Sequence, residues 1–304
     1  MAPLVSIGIP TYNQAVYLPE TLASVLAQTF TDFEVVIVDD ASTDDTPQVL
    51  SSFHDPRVRT FRNPANKGWV GNFRRVLAES RGKYFLLLGS DDLLAPGFLE
   101  WAVRSLEGEP TAGFAHSGVR FIGNRQGQSV MDFPPKLDGR EYILQSLSSA
   151  QNLTNLSASL ARRDWVTELG IEDSIFCDWI LWLRLAMRGE VLYTPELLGS
   201  CRFHSANETK KVSSQPSRHL WELGRSVLTF AARENADAAM YARVYDCLDR
   251  LYSRYIGYLG RNHDLSWGQF FRELKSAWRS PARLVVKLRE SGRAILHRFL
   301  PARV

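Results

Sequence analysis

A chain of 304 residues, 45% hydrophobic and 23% charged, has the balance of a globular protein and not of a disordered, collagen-like or fibrous one, and its length suits about two domains. No apolar run approaches the roughly 20 residues that cross a bilayer, the purest being Tyr84 to Leu88, so a transmembrane helix is excluded. The net charge of +3 is unevenly spread: residues 268–304 carry nine basic side chains against two acidic, a net of +7, which leaves −4 on residues 1–267 and excludes a uniformly basic, nucleic-acid-tracking surface.

The start, Met1-Ala2-Pro3-Leu4-Val5-Ser6, lacks the basic residues, apolar middle and small-residue cleavage site of a secretory signal, which predicts a cytoplasmic protein. Short β-branched runs then alternate with helical patterns, the signature of a parallel sheet covered by helices. Strands are predicted over Leu4 to Ile9, Glu34 to Val38, Val58 to Phe61, Tyr84 to Leu88 and Ala112 to His116. Between the first two, Leu18, Leu22, Val25 and Leu26 fall at helical spacing with Pro19 in the first turn. Ser42 and Asp45 have capping-box-like spacing ahead of a helix carrying Val49 and Leu50. Helices are also expected over Val70 to Glu79 and after Pro96. The Gly- and Pro-rich stretch from Gly123 to Gly139 reads as a long surface loop or irregular hairpin.

Farther along, Ile175 to Met187 reads as a helix, and Leu192 to Pro195 and Leu197 to Phe203 as two returns to the sheet. A polar stretch follows, and a boundary near it divides a catalytic domain, 1–210, from a helical extension, 211–304, with helices near Arg218 to Arg233, Ala238 to Tyr258, Ser266 to Trp278 and Pro281 to Leu300. Cys177, Cys201 and Cys247 are odd in number and scattered, as reduced thiols are, and suggest neither a disulfide framework nor a zinc site. Asn-x-Ser/Thr matches at Asn152, Asn155 and Asn207 carry little meaning without a secretion signal.

Ligands of open parallel sheets bind at the carboxyl ends of the strands. Pro10-Thr11-Tyr12-Asn13 follows the first strand, Asp39-Asp40-Ala41-Ser42 the second and Gly89-Ser90-Asp91-Asp92 the fourth. Four carboxylates on one rim repel one another, and a divalent cation with hard oxygen ligands, magnesium or manganese, is the ordinary way to keep them ionised. Either pair taken alone is also what turns and helix caps use.

These segments, with Val5 to Pro10 and Val35 to Asp44 around them and Asn66-Lys67-Gly68 between, resemble the family 2 glycosyltransferases, over about residues 4–205. The resemblance implies a GT-A (Rossmann-like) α/β fold, a mostly parallel sheet flanked by helices, here with a helical C-terminal extension. It implies inverting, metal-assisted transfer of a sugar from a nucleoside diphosphate sugar to a glycan or lipid-linked glycan acceptor. By resemblance, Pro10, Thr11, Tyr12, Asn13, Asp39, Asp40 and Lys67 border the nucleotide, with Tyr12 stacked on the base and Thr11 bonding its edge. Asp91 faces the ribose, and Asp92 binds the metal (Mn or Mg), with His204 as a second ligand or as a structural histidine. Arg202 is suited to a phosphate.

Asp178, in Cys177-Asp178-Trp179-Ile180-Leu181-Trp182, matches the catalytic base, with Glu172 and Asp173 as rivals and helix capping as its alternative role. Trp179 and Trp182 divide between packing and acceptor contact. The Gln-x-x-Arg-Trp segment and membrane spans of processive relatives are missing, which predicts single additions, in cell-surface polysaccharide or glycolipid assembly. The tail, with Leu284, Leu288, Ile295 and Phe299 at helical spacing beside Arg283 and Lys287, suits either peripheral attachment to the inner face of an anionic membrane or packing on the catalytic domain. The competing readings are a degenerate sugar-nucleotide-binding scaffold and a two-carboxylate glycoside hydrolase.

Overall fold

The computed structural model describes residues 2–204, 216–234 and 236–261. The described residues of 1–142 and 153–204 form one compact unit, and those of 143–152 and 205–304 a second.

The first unit is built on a mixed sheet in the order β3-β2-β1-β4-β9-β6-β10-β5, with β7 paired to β6 and β8 to β10. Its first half is wound from β1 (Val5–Thr11), α1 (Leu18–Leu26), β2 (Phe33–Asp39), α2 (Thr46–Ser51), β3 (Val58–Arg62), α3 (Gly68–Glu79) and β4 (Tyr84–Leu87). Strands β3, β2, β1 and β4 are parallel neighbours. β1 and β2 are buried at every position, as expected of near-continuous apolar strands covered on both faces. Pro10 is tolerated in a central strand because its missing N–H would face β4, whose pairing with β1 ends at Gly8. Gly8 lets α3 settle on this strand: a Cβ there would lie 2.1 Å from Val76 Cγ1 and 2.9 Å from Phe85 Cε2. Gly8→Ala is therefore expected to destabilise the protein by about 1–3 kcal/mol through overpacking, read as a lower urea midpoint at unchanged slope.

The second half adds β5 (Leu93–Leu94), α4 (Phe98–Gly108), β6 (Ala112–Gly123), β7 (Gly127–Ser129), β8 (Lys136–Leu137) and α5 (Gly139–Ser149). A 3₁₀ turn (Leu156–Ala158), β9 (Ser159–Arg162), α6 (Arg163–Leu169), α7 (Cys177–Ala186) and β10 (Glu190–Phe203) complete the first unit, while α5 from residue 143 onward belongs to the second. β6 and β10 are parallel, whereas β9 runs antiparallel between β4 and β6. The second unit contains α8 (Pro216–Arg233) and α9 (Ala238–Arg261). No helix among the described residues is long and apolar enough to cross a membrane.

The structure departs from the sequence expectations in four places. The sixth strand does not stop at His116 but continues to Gly123, and the stretch expected as a long loop or irregular hairpin takes the hairpin form, β7 returning against β6 and β8 pairing with β10. The two predicted returns are one strand, β10, whose register shifts around Pro195 and Glu196 gave it the look of two. β9, Ser-Leu-Ala-Arg, is short and lacks β-branched residues, so only its burial between two neighbours makes it a strand. Ser42 is no helix cap: its hydroxyl accepts from the Asn13 N–H, and the Asp44 carboxylate accepts from Thr46 N–H. The helices expected over 266–278 and 281–300 lie outside the described residues.

Candidate active site

Strand order reverses at β1, with β2 on one side and β4 on the other, so the crevice at the carboxyl ends of β1 and β4 is where this topology opens a ligand site. The loops after β1 and β2 clasp each other there. Asn13 and Ala41 both take left-handed backbone (φ 54° and 61°), which turns each loop back toward the other. The N–H groups of Asn13, Gln14 and Ala15 donate to Ser42 Oγ (2.9 Å), Thr46 Oγ1 (3.0 Å) and Asp44 Oδ2 (3.1 Å), and Asn13 Oδ1 accepts from Thr43 N–H (2.8 Å). Tyr12 projects from this clasp, 40% exposed, while Pro10 and Thr11 are buried. The Thr11 hydroxyl is enclosed and has no partner among the described residues, so it does not stand at the rim where a base edge was expected to meet it.

Asp39 and Asp40 are both buried and have separate tasks. Asp39 accepts from Ser42 N–H (3.0 Å) and is ion-paired with Arg62, whose Nη2 also donates to the Ser42 carbonyl (2.9 Å). Asp40 faces the start of α3, accepting from Asn63 Nδ2 (2.6 Å), Lys67 N–H (2.9 Å) and Gly68 N–H (2.9 Å). A carboxylate on the first N–H groups of a helix is favoured by their unmet donors and by the dipole. Asp40 thus builds the Lys67-Gly68 loop, leaving the Lys67 side chain exposed above it.

The turn after β4 is held from three directions. Thr21 Oγ1 on α1 donates to the Ser90 carbonyl (3.0 Å), Ser157 Oγ accepts from Gly89 N–H (3.0 Å), and Arg202 Nε on β10 donates to the Asp91 carbonyl (2.8 Å). A Cβ on Gly89 would sit 2.9 Å from Asp92 Oδ2, so the glycine leaves that carboxylate its place.

Here the structure gives the two aspartates different surroundings. Asp92, expected as the metal ligand, is turned inward: Ser157 Oγ donates to its Oδ2 (2.5 Å) and Arg202 N–H to its Oδ1 (2.8 Å). Asp91, expected to face the ribose, instead meets His204, Oδ2 to Nε2 at 2.8 Å. The Arg202 guanidinium, expected on a phosphate, binds the Asp91 carbonyl and Glu20 (2.6 Å). Ser157, Glu20 and Tyr17 were not singled out in the sequence, because none lies in a motif and each reaches the site only through the fold.

Burial first, and then the neighbouring Asp91 charge, push the Asp92 carboxyl from 3.8 up to about 7. A carboxyl raised on folding keeps its proton in the native state after the unfolded chain has lost its own. Its contribution is full below about pH 4 and is lost as pH rises through about 7. In EDTA, the thermal midpoint of the wild type should fall relative to that of Asp92→Asn between about pH 5 and about pH 8; a constant gap would refute the shift.

Among the described residues no three His, Cys, Asp or Glu side chains gather closely enough to enclose a metal ion. One carboxylate and one imidazole, Asp91 and His204, nonetheless form a donor set that fits a hard divalent cation completed by substrate phosphates.

Asp178 is placed by a separate element, the first turn of α7, where the helix dipole favours its ionised form. Its charge adds to the effect of burial in raising the Tyr142 hydroxyl and the Cys177 thiol above their ordinary ranges. Of the rivals, Asp173 is 89% exposed and lies 3.9 Å from Arg74, and Glu172 is half-buried on the same loop. That loop is braced from α3, where Arg74 donates twice to the Ile171 carbonyl (3.1 and 2.8 Å). Trp179 and Trp182 are both buried, Trp182 packing against Phe114 (5.0 Å between ring centroids).

Comparison with known proteins identifies the family and the fold. Residues 6–166 match the profile described as Glycosyl transferase family 2. Chondroitin synthase from Escherichia coli is 31% identical over 230 residues, a stretch covering 74% of this chain and 33% of that enzyme. The fold is similar to that of S. aureus TarS 1–349 in complex with UDP-GlcNAc (TM-score 0.72, 20% identity, 95% of this chain and 84% of that one). It is also similar to that of mannosyltransferase PcManGT from Pyrobaculum calidifontis in complex with GDP-Man and Mn2+ (TM-score 0.62, 18% identity, 95% and 85%). The chain belongs to glycosyl transferase family 2, on a GT-A fold, and is a glycosyltransferase.

Proposed function

We propose that this glycosyltransferase moves a sugar, with inversion, from a nucleoside diphosphate sugar to a hydroxyl of a glycan or lipid-linked glycan, one residue at a time. The observation that carries the reading is the Asp91–His204 pair at the sheet's switch point, beside the loop that presents Tyr12. Donor-binding relatives of the same fold support the substrate class: UDP-GlcNAc is bound in TarS and GDP-Man with Mn2+ in PcManGT.

In this reading residues 1–210 form the catalytic domain and 211–304 an extension. Tyr12 stacks on the base, an aromatic face on a π-face. Pro10, Thr11, Asn13, Asp39, Asp40 and Lys67 shape the wall around it, chiefly by holding the loops. Asp91 and His204 hold the divalent ion, Mn or Mg, which when bound stabilises the charge on the departing diphosphate. Asp178 accepts the acceptor hydroxyl's proton as that oxygen bonds to the anomeric carbon and the bond to the diphosphate breaks on the opposite side. The basic stretch 268–304 suits a cytoplasmic enzyme working at the inner membrane face, in surface polysaccharide or glycolipid assembly.

The test is calorimetric titration of UDP-, GDP- and dTDP-sugars with Mn2+ and again with EDTA. Binding of one nucleotide class that EDTA weakens is the expected result. Equal binding in EDTA would refute the metal's part, and no binding by folded protein would refute the donor class.

A further inference from the structure

We propose that Tyr17 is a positioning residue that sets the His204 imidazole against Asp91, joining the nucleotide-side loop and the metal-side histidine into one preorganised piece. The inference rests on the proposed metal-assisted donor site for its consequence, but not for its geometry. Tyr17 stands at the start of α1, and Glu20, three residues on, shares its face of the helix. Arg202 and His204, two residues apart at the end of β10, share one side of the extended chain. These two faces meet.

The Tyr17 and His204 rings stack with centroids 4.5 Å apart at 29°. The Arg202 guanidinium carbon lies 5.2 Å from the Tyr17 ring centroid, and its Nη2 donates to Glu20 Oε2 at 2.6 Å. The imidazole thus has its plane set by Tyr17 and its direction set by Asp91 Oδ2, 2.8 Å from Nε2. Both His204 and Asp91 side chains are largely buried, at 8% and 15% exposure, so the ring has little room to take another pose once stacked.

Tyr17 closes the same loop that presents Tyr12 and Asn13, its N–H donating to the Gln14 carbonyl at 3.1 Å. A shift of that loop therefore moves the plate on which the histidine rests. The stack needs the ring and not the hydroxyl, because an offset aromatic contact arises from the faces.

The test uses the full chain, with the His204 ring resonances assigned by their loss in His204→Ala. In the wild type, a nuclear Overhauser contact between Tyr17 and His204 ring protons is expected; its absence overturns the proposal without any variant. Tyr17→Phe should leave the His204 resonances and the affinity for Mn2+, read by paramagnetic resonance of the free ion, within about twofold. Tyr17→Leu should move those resonances toward exposed-histidine positions and weaken Mn2+ binding about tenfold, the upper end of an aromatic contact's effect. Unmoved resonances in Tyr17→Leu overturn the proposal, as does Mn2+ binding that falls in His204→Ala but not in Tyr17→Leu. Resonances that move while neither variant changes Mn2+ binding uphold the positioning role and refute the metal reading instead.

Discussion

Asp178→Asn is expected to lower the rate of sugar transfer by about 10²- to 10⁴-fold while leaving donor binding within about twofold, the range that general-base catalysis contributes. The amide keeps the size of the carboxyl and its place on the first turn of α7, but it accepts no proton at neutral pH. The donor-side residues are carried by β1, β2, β4 and β10 and their loops, whereas Asp178 stands on α7. Single-turnover transfer to a glycan acceptor, paired with calorimetric titration of the donor, separates the two quantities. A parallel loss of binding would show that Asp178 holds the donor. Retained transfer would move the base to Glu172 or Asp173, of which Asp173 is far the more exposed.

The second large effect is expected at Asp91. Asp91→Ala removes the carboxylate that faces His204 and should weaken Mn2+-dependent donor binding by about 100-fold or more, since even residues behind a metal's ligands commonly contribute 10- to 100-fold. Asp92→Asn should weaken it by about tenfold or less. The Asp92 carboxylate is spent on Ser157 Oγ and Arg202 N–H, and an amide oxygen can still accept from Arg202. The pair of variants decides between two readings of the Asp-Asp dipeptide. If Asp92→Asn abolishes metal-dependent binding and Asp91→Ala spares it, Asp92 must turn outward when donor binds, and the inward pose is not the working one. His204→Ala should follow Asp91→Ala in direction, because the two side chains form one donor set.

A mainly parallel sheet was legible in the sequence because its central strands are covered on both faces and so read as unbroken apolar runs, Val35-Val36-Ile37-Val38 above all. The weaker strands were not. β9 and β5 have no pattern of their own and exist because neighbours bury and pair them. β10 was legible as strand but not as one strand, since Pro195 interrupts its alternation while its pairing with β6 carries on beyond. Helices α8 and α9 fall near the stretches expected to be helical, Arg218 to Arg233 and Ala238 to Tyr258, with one end of each differing by two or three residues, which is the usual uncertainty of helix termini.

The site was legible as a set of loops and not as a set of contacts. Chain order placed Thr11 to Asn13, Asp39 and Asp40, and Asp91 and Asp92 after parallel strands, and that alone located them on one rim. It gave no means of telling a ligand from a scaffold, because Asp supplies the same carboxylate to a metal, to a helix N-terminus or to a turn. Asp40 proves to be the helix-facing carboxylate and Asp39 the ion-paired one. Ser157 reaches Asp92 across 65 positions of sequence, and Arg202 reaches Glu20 across 182, separations over which a single sequence carries no pairing signal.

What the sequence by itself determined is the class of this protein: local apolar periodicity sets strands and helices, strand order sets the rim, and the residue types on that rim set a chemistry of carboxylates beside an aromatic ring. What only the tertiary structure decided is the surroundings of each carboxylate. Whether Asp91 or Asp92 faces outward depends on which hydrogen-bond donors stand behind the turn, and those donors, Ser157 and the Arg202 N–H, arrive from elements that meet the turn only when the sheet is assembled. A buried carboxylate must be met by donors, so the one they reach turns inward and its neighbour is left to face His204.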